Sequence, residues 1–224
     1  MTFSLVARCA DTGMFGMVIA SSSPAVAARC AFARAGVGAV ASQNVTDPRL
    51  GRQVLDLMEQ GRSAAEAVAE VVRATPHAAF RQILAVDRRG QAATHTGDHA
   101  LGLHGAARAA DVAAGGNLLA DPKVPQVMAA AFGDAKGHLA DRLIAALKAG
   151  LGAGGEAGPV HSAGLLLVDR QAWPYADLRC DWTTGDPVAE VAALWQLYAP
   201  QAGAYVTRAL DPGAAPRYGV AGDP

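Results

Sequence analysis

Residues 2–22 read TFSLVARCADTGMFGMVIASS, two apolar segments separated by a short polar turn. Segments 2–10 and 14–22 are rich in residues that favour β-strands, and Asp11-Thr12-Gly13 between them has the composition of a tight turn. The sequence therefore predicts a β-hairpin at the start of the chain. Residues 17–20, MVIA, are apolar at successive positions, so we expect both faces of the second strand to be covered.

Beyond this hairpin, groups of strands alternate with groups of helices. Further strands are predicted at 27–34, 37–43, 81–87, 91–96, 111–119, 160–168 and 174–180. Helices are predicted after Asp47-Pro48, after the capping box Ser63-Ala64-Ala65-Glu66, after Asp121-Pro122, along a leucine stripe from Leu139 to Leu151, and after Asp186-Pro187. The order is four strands, two helices, three strands, two helices, two strands and one helix.

This order predicts an α+β fold. Successive strands joined by short turns favour antiparallel sheets, and helix pairs inserted between strand groups can cover the outer faces. We therefore expect a four-layer αββα sandwich of two antiparallel sheets flanked by helices. No linker or internal repeat interrupts the pattern, which predicts one domain over residues 1–208. Residues 209–224, rich in Pro, Gly and Ala, are expected to form an irregular C-terminal tail.

Composition narrows the function classes. The 224 residues are 51% hydrophobic and 17% charged, and the net charge is −1. Scattered basic residues argue against a nucleic-acid or anionic-membrane partner, and no apolar run reaches the roughly 18–20 residues of a membrane helix. The absence of a signal-peptide pattern and the odd number of cysteines suit a reduced, cytoplasmic protein with buried thiols. The low charge content predicts a homodimer or a larger homo-oligomer.

Thr2 is the main catalytic candidate. Removal of Met1 before this small residue would make Thr2 the N-terminal residue, with a nucleophilic hydroxyl and a general base, its own α-amine, on one residue. An unperturbed α-amine titrates at about pH 7.7–8.0, so part of it is unprotonated near neutrality. If Met1 is retained, this base is lost. The alternative is that Thr2 is an ordinary strand residue; Ser4 is a poorer nucleophile candidate because it would need a separate base.

Other polar residues stand where strands are predicted to end. Asn117 follows Gly115-Gly116, where the backbone can approach a ligand closely, and its amide is suited to stabilising an oxyanion. Gln43-Asn44 ends the fourth strand and is a candidate for holding a substrate, together with Gly116. Ser21 ends the second strand, where its hydroxyl could orient the Thr2 amine. For each residue the alternative is a structural role in a turn or at a strand end.

Asp177 and Arg179 share one face of a predicted strand and complete the set of substrate-binding candidates. They could pair with the new N-terminus or, in the alternative, form a structural ion pair with each other. His95, His99 and His104 form a histidine cluster, but Thr96-Gly97-Asp98 is typical of a turn, so we predict no metal site. The sequence lacks a phosphate-binding loop and a dinucleotide fingerprint, and we predict no cofactor.

Several short segments occur together in one order and carry a family resemblance. They are TFSLVA from residue 2, Ala20-Ser21 followed by Pro24-Ala25-Val26, the strand 38–43, Gly116-Asn117-Leu118-Leu119, and Tyr175-Ala176-Asp177-Leu178-Arg179. The chain resembles the Ntn-hydrolase-like family known as domain of unknown function 1028 over about residues 2–199. The resemblance implies the αββα fold and places the nucleophile of the wider Ntn-hydrolase superfamily at Thr2. It implies no particular substrate.

Two hypotheses about function follow. The first is an N-terminal nucleophile hydrolase that acts on a small amide or a related C–N bond, with Thr2 as the nucleophile. The second is a metabolite-binding or assembly module with the same fold and no turnover, since a fold does not determine a function. The fate of Met1 discriminates between them.

Overall fold

The computed structural model describes residues 2–222, which form ten β-strands and six α-helices. The strands are β1 (Thr2–Arg8), β2 (Phe15–Ser21), β3 (Ala31–Arg34), β4 (Gly38–Asn44), β5 (Arg81–Asp87), β6 (Ala92–Thr96), β7 (Gly105–Ala109), β8 (Val112–Asn117), β9 (Ser162–Val168) and β10 (Ala176–Cys180). The helices are α1 (Val26–Cys30), α2 (Pro48–Glu59), α3 (Ala64–Ala74), α4 (Val124–Asp134), α5 (Leu139–Gly152) and α6 (Pro187–Leu210). A short 3-10 helix, Ala78–Phe80, precedes β5.

The strands form two antiparallel sheets. The larger sheet has the order β10-β9-β2-β1-β8-β7 and the smaller one the order β3-β4-β5-β6. β1 therefore lies in the interior of the larger sheet, paired with β2 on one side and with β8 on the other. The register places Thr2 opposite Asn117 on β8, and Phe3 opposite Ala20 on β2. The α+β class and the antiparallel sheets predicted from the sequence are confirmed.

Three groups of buried apolar residues hold these elements together. The first joins α4, α5 and α6 to one face of the larger sheet, and the second joins α2 and α3 to the smaller sheet. The third lies between strands of the two sheets and includes Val6, Met17, Ala39 and Leu84. Successive side chains of β1 point to opposite faces, so Phe3 and Leu5 belong to the first group and Val6 to the third.

The two sheets lie close together at Gly115 of β8, which has no side chain. A Cβ atom on Gly115 would lie 2.7 Å from Cδ2 of Leu84 on the smaller sheet, closer than carbon atoms pack. The neighbouring Gly116 has equally little room, because its Cβ atom would lie 2.5 Å from the side chain of Leu119. The glycine at position 115 thus allows β8 to pass beside β5, while the one at position 116 makes room for Leu119 on the opposite face of the sheet.

The predicted helix starts agree with the structure at three capped positions. Asp47 accepts a hydrogen bond from the backbone N–H of Arg49 at 3.1 Å and caps α2, and Asp186 caps α6 in the same way. At α3, Ser63 and Glu66 form the predicted capping box. These bonds satisfy N–H groups that have no partner within the helix.

Other boundaries differ from the prediction. The segment 27–34 is not one strand: α1 occupies Val26–Cys30 and β3 begins only at Ala31, because an alanine-rich stretch forms a helical turn after Ala25, whose φ is 51°. The strand predicted at 111–119 ends at Asn117, and the strand β7 before it was missed because Gly105–Ala109 is rich in small residues with weak strand preference. Helix α6 continues to Leu210, two residues beyond the predicted end of the domain at residue 208. Met1, at the start of the predicted domain, and residues 223–224 of the predicted tail lie outside the described residues.

A buried carboxylate ties the β5–β6 turn to the start of α3. Asp87 accepts hydrogen bonds from the backbone N–H groups of Arg89 at 2.8 Å, Gln91 at 3.1 Å and Ala64 at 2.9 Å. We expect Asp87→Ala to lower the free energy of unfolding by roughly 2–4 kcal/mol, because it leaves these donors without their acceptor. Urea unfolding followed by circular dichroism measures this change. The exposed Asp98→Ala is the matched control, expected to stay within about 0.5 kcal/mol of the unmodified protein; equal stability of the two variants would contradict the role of Asp87.

Candidate functional site

The first residue of β1 lies between two polar residues of the neighbouring strands. Thr2 donates a long hydrogen bond from Oγ1 to Oγ of Ser21 on β2, at 3.5 Å, and Asn117 of β8 stands directly opposite it in the register. Ser21 also accepts a hydrogen bond from the backbone N–H of Ser23 at 3.0 Å. The exposed fraction of Thr2 is 5%, and Ser21 and Asn117 are fully buried. Three residues predicted as catalytic are thus brought together at one end of the larger sheet, while their roles remain predictions.

A network of buried side-chain amides connects this end of the larger sheet to the smaller sheet. Ser4 donates from Oγ to Oε1 of Gln43 at 2.6 Å, and Gln43 donates from Nε2 to Oε1 of Gln82 at 2.8 Å. The same oxygen of Gln82 accepts a hydrogen bond from Nδ2 of Asn117 at 3.3 Å. Gln82 in turn donates to the carbonyl oxygen of Gly116 at 3.1 Å. The network holds the amide of Asn117 in place from the opposite sheet.

Sequence reasoning missed Gln82. It is the second residue of β5, after Arg81, and this polar pair is typical of an exposed strand end. One signal was present, because Gln82 shares its face of β5 with Leu84 and Val86, both of which lie between the two sheets. A glutamine at period two with buried apolar residues indicates a buried amide that needs partners.

The structure gives Gln43, Asn44 and Gly116 well-defined structural contacts. Gln43 belongs to the amide network, and Gly116 contributes its carbonyl oxygen to it. Asn44 has a φ of 74° and donates from Nδ2 to the carbonyl oxygen of Phe80 at 2.6 Å, while its Oδ1 accepts from the backbone N–H of Leu101 at 3.2 Å. Substrate binding by these three residues remains a prediction.

Asp177 and Arg179 lie elsewhere on the larger sheet. Both are on the edge strand β10, which β9 and β2 separate from β1. They form an ion pair with each other at 3.5 Å, and their side chains are 42% and 38% exposed. Because neighbouring strands are about 4.8 Å apart, β10 lies roughly 14 Å from β1. The structure therefore does not bring this pair together with Thr2.

Glu156 is a second residue that the sequence did not reveal. It lies in the glycine-rich segment between α5 and β9, it is 3% exposed, and neither of its carboxylate oxygens has a hydrogen-bond partner among the described residues. Burial raises its pKa to about 7, and the nearby polar groups of Ser22 reduce this rise only in part. A carboxylate in a loop of glycines is usually exposed, so the sequence carried no signal of its burial.

The histidines and cysteines have separate environments. His95 contacts the carbonyl oxygen of Ala78 at 3.1 Å, and His99 packs against the ring of Phe80. Within residues 2–222, no three His, Cys, Asp or Glu side chains are grouped in a way that could hold a metal ion. All three cysteines are buried free thiols. No helix in the same part of the chain is both long and apolar enough to span a bilayer.

The fold and the site define an α+β protein of two antiparallel sheets with a buried polar cluster at the start of a central strand. The family model described as "Family of unknown function (DUF1028)" matches residues 2–191. The chain belongs to this family, which confirms the resemblance seen in the sequence. A crystal structure of a DUF1028 protein from Silicibacter pomeroyi is 30% identical, with a TM-score of 0.82 over 88% of this chain and 89% of that one.

More distant structures are two Anbu proteins. Anbu (ancestral beta-subunit) from Yersinia bercovieri is 10% identical with a TM-score of 0.39 over 91% of this chain and 97% of that one. A mutant Anbu from Hyphomicrobium sp. strain MC1 is 12% identical with a TM-score of 0.43 over the same shares, 91% and 97%. These similarities are too low to support an assignment. No curated protein matches the sequence.

Gln82 is the residue of the amide network that accepts hydrogen bonds from both Gln43 and Asn117. We expect Gln82→Met, which keeps the length of the side chain and removes its polar atoms, to lower the free energy of unfolding by roughly 2–4 kcal/mol, because the amides of Gln43 and Asn117 lose their shared acceptor inside the protein. Urea denaturation measures the change. Gln91→Met on the exposed β5–β6 turn is the matched control and should change stability by less than about 0.5 kcal/mol. An unchanged midpoint for Gln82→Met would show that the network does not hold the sheets together.

Proposed function

We propose that this protein is an N-terminal nucleophile hydrolase of a small amide or a related C–N bond, with Thr2 as the nucleophile after removal of Met1. The observation that carries the proposal is the position of Thr2 at the first residue of a central strand, with Ser21 and Asn117 on the two flanking strands. A strand within a sheet positions a nucleophilic side chain more precisely than a loop does. The four-layer αββα arrangement of this class agrees with the three apolar groups, one between the sheets and one on the helix-covered side of each sheet.

The chemistry proceeds in two steps. The α-amine of Thr2 takes the hydroxyl proton as Oγ1 attacks the carbonyl carbon of the substrate, and the C–N bond breaks as that proton passes to the leaving nitrogen. Water then attacks the resulting ester, which releases a carboxylic acid and restores Thr2. Ser21 orients the hydroxyl through the contact between the two oxygens. Neither step requires a cofactor.

Asn117 is the proposed donor to the oxyanion. Its Nδ2 group carries two N–H bonds, and the contact with Gln82 uses one of them. Gln82 and Gln43 hold this amide from the other sheet, so it does not need to reorganise as charge develops on the substrate oxygen. Donors fixed in this way are the main source of stabilisation in acyl transfer.

One observation favours the second hypothesis, a binding or assembly module without turnover. Thr2, Ser21 and Asn117 are all buried in the described chain, whereas a nucleophile must be reached by its substrate. In either case the partner is a small molecule, and a homodimer or larger homo-oligomer remains our proposal for the assembly. The two functions differ in what they require of the N-terminus.

Intact mass spectrometry of tag-free protein is the deciding measurement. We expect a mass lower by one methionine, because the hydrolase needs the free amine of Thr2. Retention of Met1 would overturn the hydrolase proposal and leave the binding module.

Variants of the Met1-free protein test the assigned roles against a panel of small amides and cyclic amides. We expect Thr2→Ala to abolish hydrolysis and Thr2→Ser to retain part of it, because serine keeps both the hydroxyl and the terminal amine. Asn117→Ala should lower kcat by about 100–1000-fold with a smaller change in KM, since an oxyanion donor acts mainly in the transition state. Full activity of Thr2→Ala toward a hydrolysed substrate would rule out Thr2 as the nucleophile.

A further inference from the structure

The Glu156 carboxylate is buried at a free-energy cost that no contact within the described residues fully offsets. A buried carboxylate is usually paired with a cation or accepts several hydrogen bonds, because burial removes the water that stabilises its charge. Glu156 has neither kind of partner among residues 2–222: its two oxygens accept no hydrogen bond, and it takes part in none of the ion pairs there. Lys123, Lys136 and Lys148 are all exposed. Such a group requires a functional explanation.

The backbone around Glu156 places it beside the start of β1. Glu156 forms an antiparallel bridge with Leu119, flanked by hydrogen bonds from Ala120 N–H to the Gly155 carbonyl at 3.1 Å and from Ala157 N–H to the Leu118 carbonyl at 2.9 Å. This bridge continues β8 just past Asn117, the residue opposite Thr2. Glu156 is therefore paired with Leu119, the residue two positions beyond Asn117, which is the partner of Thr2.

Contacts from two other directions agree with this position. Ser22 lies close enough to the Glu156 carboxyl to lower its pKa. It directly follows Ser21, the residue whose hydroxyl contacts Thr2 on the other flanking strand. The preceding Gly155 lies against the ring of Phe3, next to Thr2 in β1, since a Cβ atom there would be 3.1 Å from Cε1 of the ring. The Glu156 segment thus closes the end of the sheet where β1 begins.

The chemistry of the unpaired atoms indicates what is missing. Besides both oxygens of Glu156, Oδ1 of Asn117 is buried without a hydrogen-bond partner in the described part of the chain. All three atoms are acceptors, so the group that satisfies them must be a donor. An ammonium group has three N–H donors and a positive charge. Removal of Met1 creates one at this end of the sheet, on the backbone nitrogen of Thr2.

We propose that Glu156 is the counter-ion of the Thr2 α-ammonium and acts as a positioning residue that holds this amine beside the Thr2 hydroxyl. The inference rests on the proposed function, because it needs Met1 to be removed. In that mechanism the amine becomes positively charged when it takes the hydroxyl proton, and a neighbouring carboxylate stabilises this charge as it forms. The buried carboxylate is thereby explained as the partner of the N-terminal charge, which the processed chain carries on Thr2.

The test measures the pKa of the Thr2 α-amine directly and needs no substrate. Protein labelled with [13C]threonine is first shown by intact mass to lack Met1, and the Thr2 Cα signal, assigned by its absence in Thr2→Ser, is then followed by NMR as a function of pH. An opposite charge within about 4–6 Å shifts a pKa by roughly 1–3 units. We therefore expect an amine pKa above about 8.5, compared with about 7.7–8.0 for an unperturbed terminus.

Variants separate the charge of Glu156 from its size. We expect Glu156→Gln to lower the amine pKa by about one unit or more, a tenfold or larger change in the acid dissociation constant, whereas Glu156→Asp should keep most of the shift. Glu70→Gln, which makes the same change on helix α3, where Glu70 is half-buried and paired with Arg62, is the matched control and should leave the amine pKa unchanged. A substrate found later gives a second readout: the acidic limb of the kcat profile should move to lower pH in Glu156→Gln.

The outcomes distinguish failure of the counter-ion inference from failure of the hydrolase proposal. If Met1 is absent and the amine pKa is about 8.5 or lower, or is the same in Glu156→Gln, Glu156 is not the counter-ion and the hydrolase proposal stands. If Met1 is retained, the hydrolase proposal fails and the counter-ion inference fails with it. Should Glu156→Gln not fold, the amine pKa of the unmodified protein decides the question by itself.

Discussion

Hydrogen bonds between buried amides of the two sheets are the constraint on which the rest of the structure depends. Ser4, Gln43, Gln82 and Asn117 come from four different strands, and each would be costly to bury alone. A shift of one residue in the register of β1, β4, β5 or β8 would turn its member to the opposite face and leave the others unpaired. The network therefore fixes the pairing of both sheets at the end where Thr2 lies, while apolar contacts such as Val6 with the smaller sheet hold the remainder.

Glu156 departs from the rule that buried polar groups have hydrogen-bond partners. Gln43, Gln82 and Asn117 each have an amide partner, and only Oδ1 of Asn117 in this network lacks one among the described residues. Both oxygens of the Glu156 carboxylate are buried without a partner in the same part of the chain, next to Leu119, two residues beyond Asn117. Natural proteins violate local rules of packing and polar satisfaction mainly where function requires it. In the proposed function, the hydrogen-bonded amides support the site, and the unpaired acceptors at the same end of the sheet belong to its reacting part.

Much of the fold was predictable because its signals are local. The hairpin of β1 and β2, the capping box at Ser63 and the proline-started helices α2 and α6 each depend on a few neighbouring residues, and the structure contains them. The helix predicted after Asp121-Pro122 begins only at Val124. The errors fall where small residues weaken those signals. Val26–Cys30 and Gly105–Ala109 are both rich in alanine, which favours helices and is depleted in strands, yet the first is a helix and the second a strand, so their long-range partners decide their conformation.

The sequence by itself determined the α+β class, the antiparallel hairpins and the family. It also pointed to three of the residues that meet at the start of β1. These features were predictable because strand ends, caps and turns each depend on a few neighbouring residues. Only the tertiary structure decided that Gln82 supports Asn117, that Asp177 and Arg179 pair with each other on a distant edge strand, and that Glu156 is buried near Thr2. These relations join residues up to 154 positions apart in sequence (Thr2 to Glu156), and which residues meet is set by sheet order and register. No local pattern encodes that order.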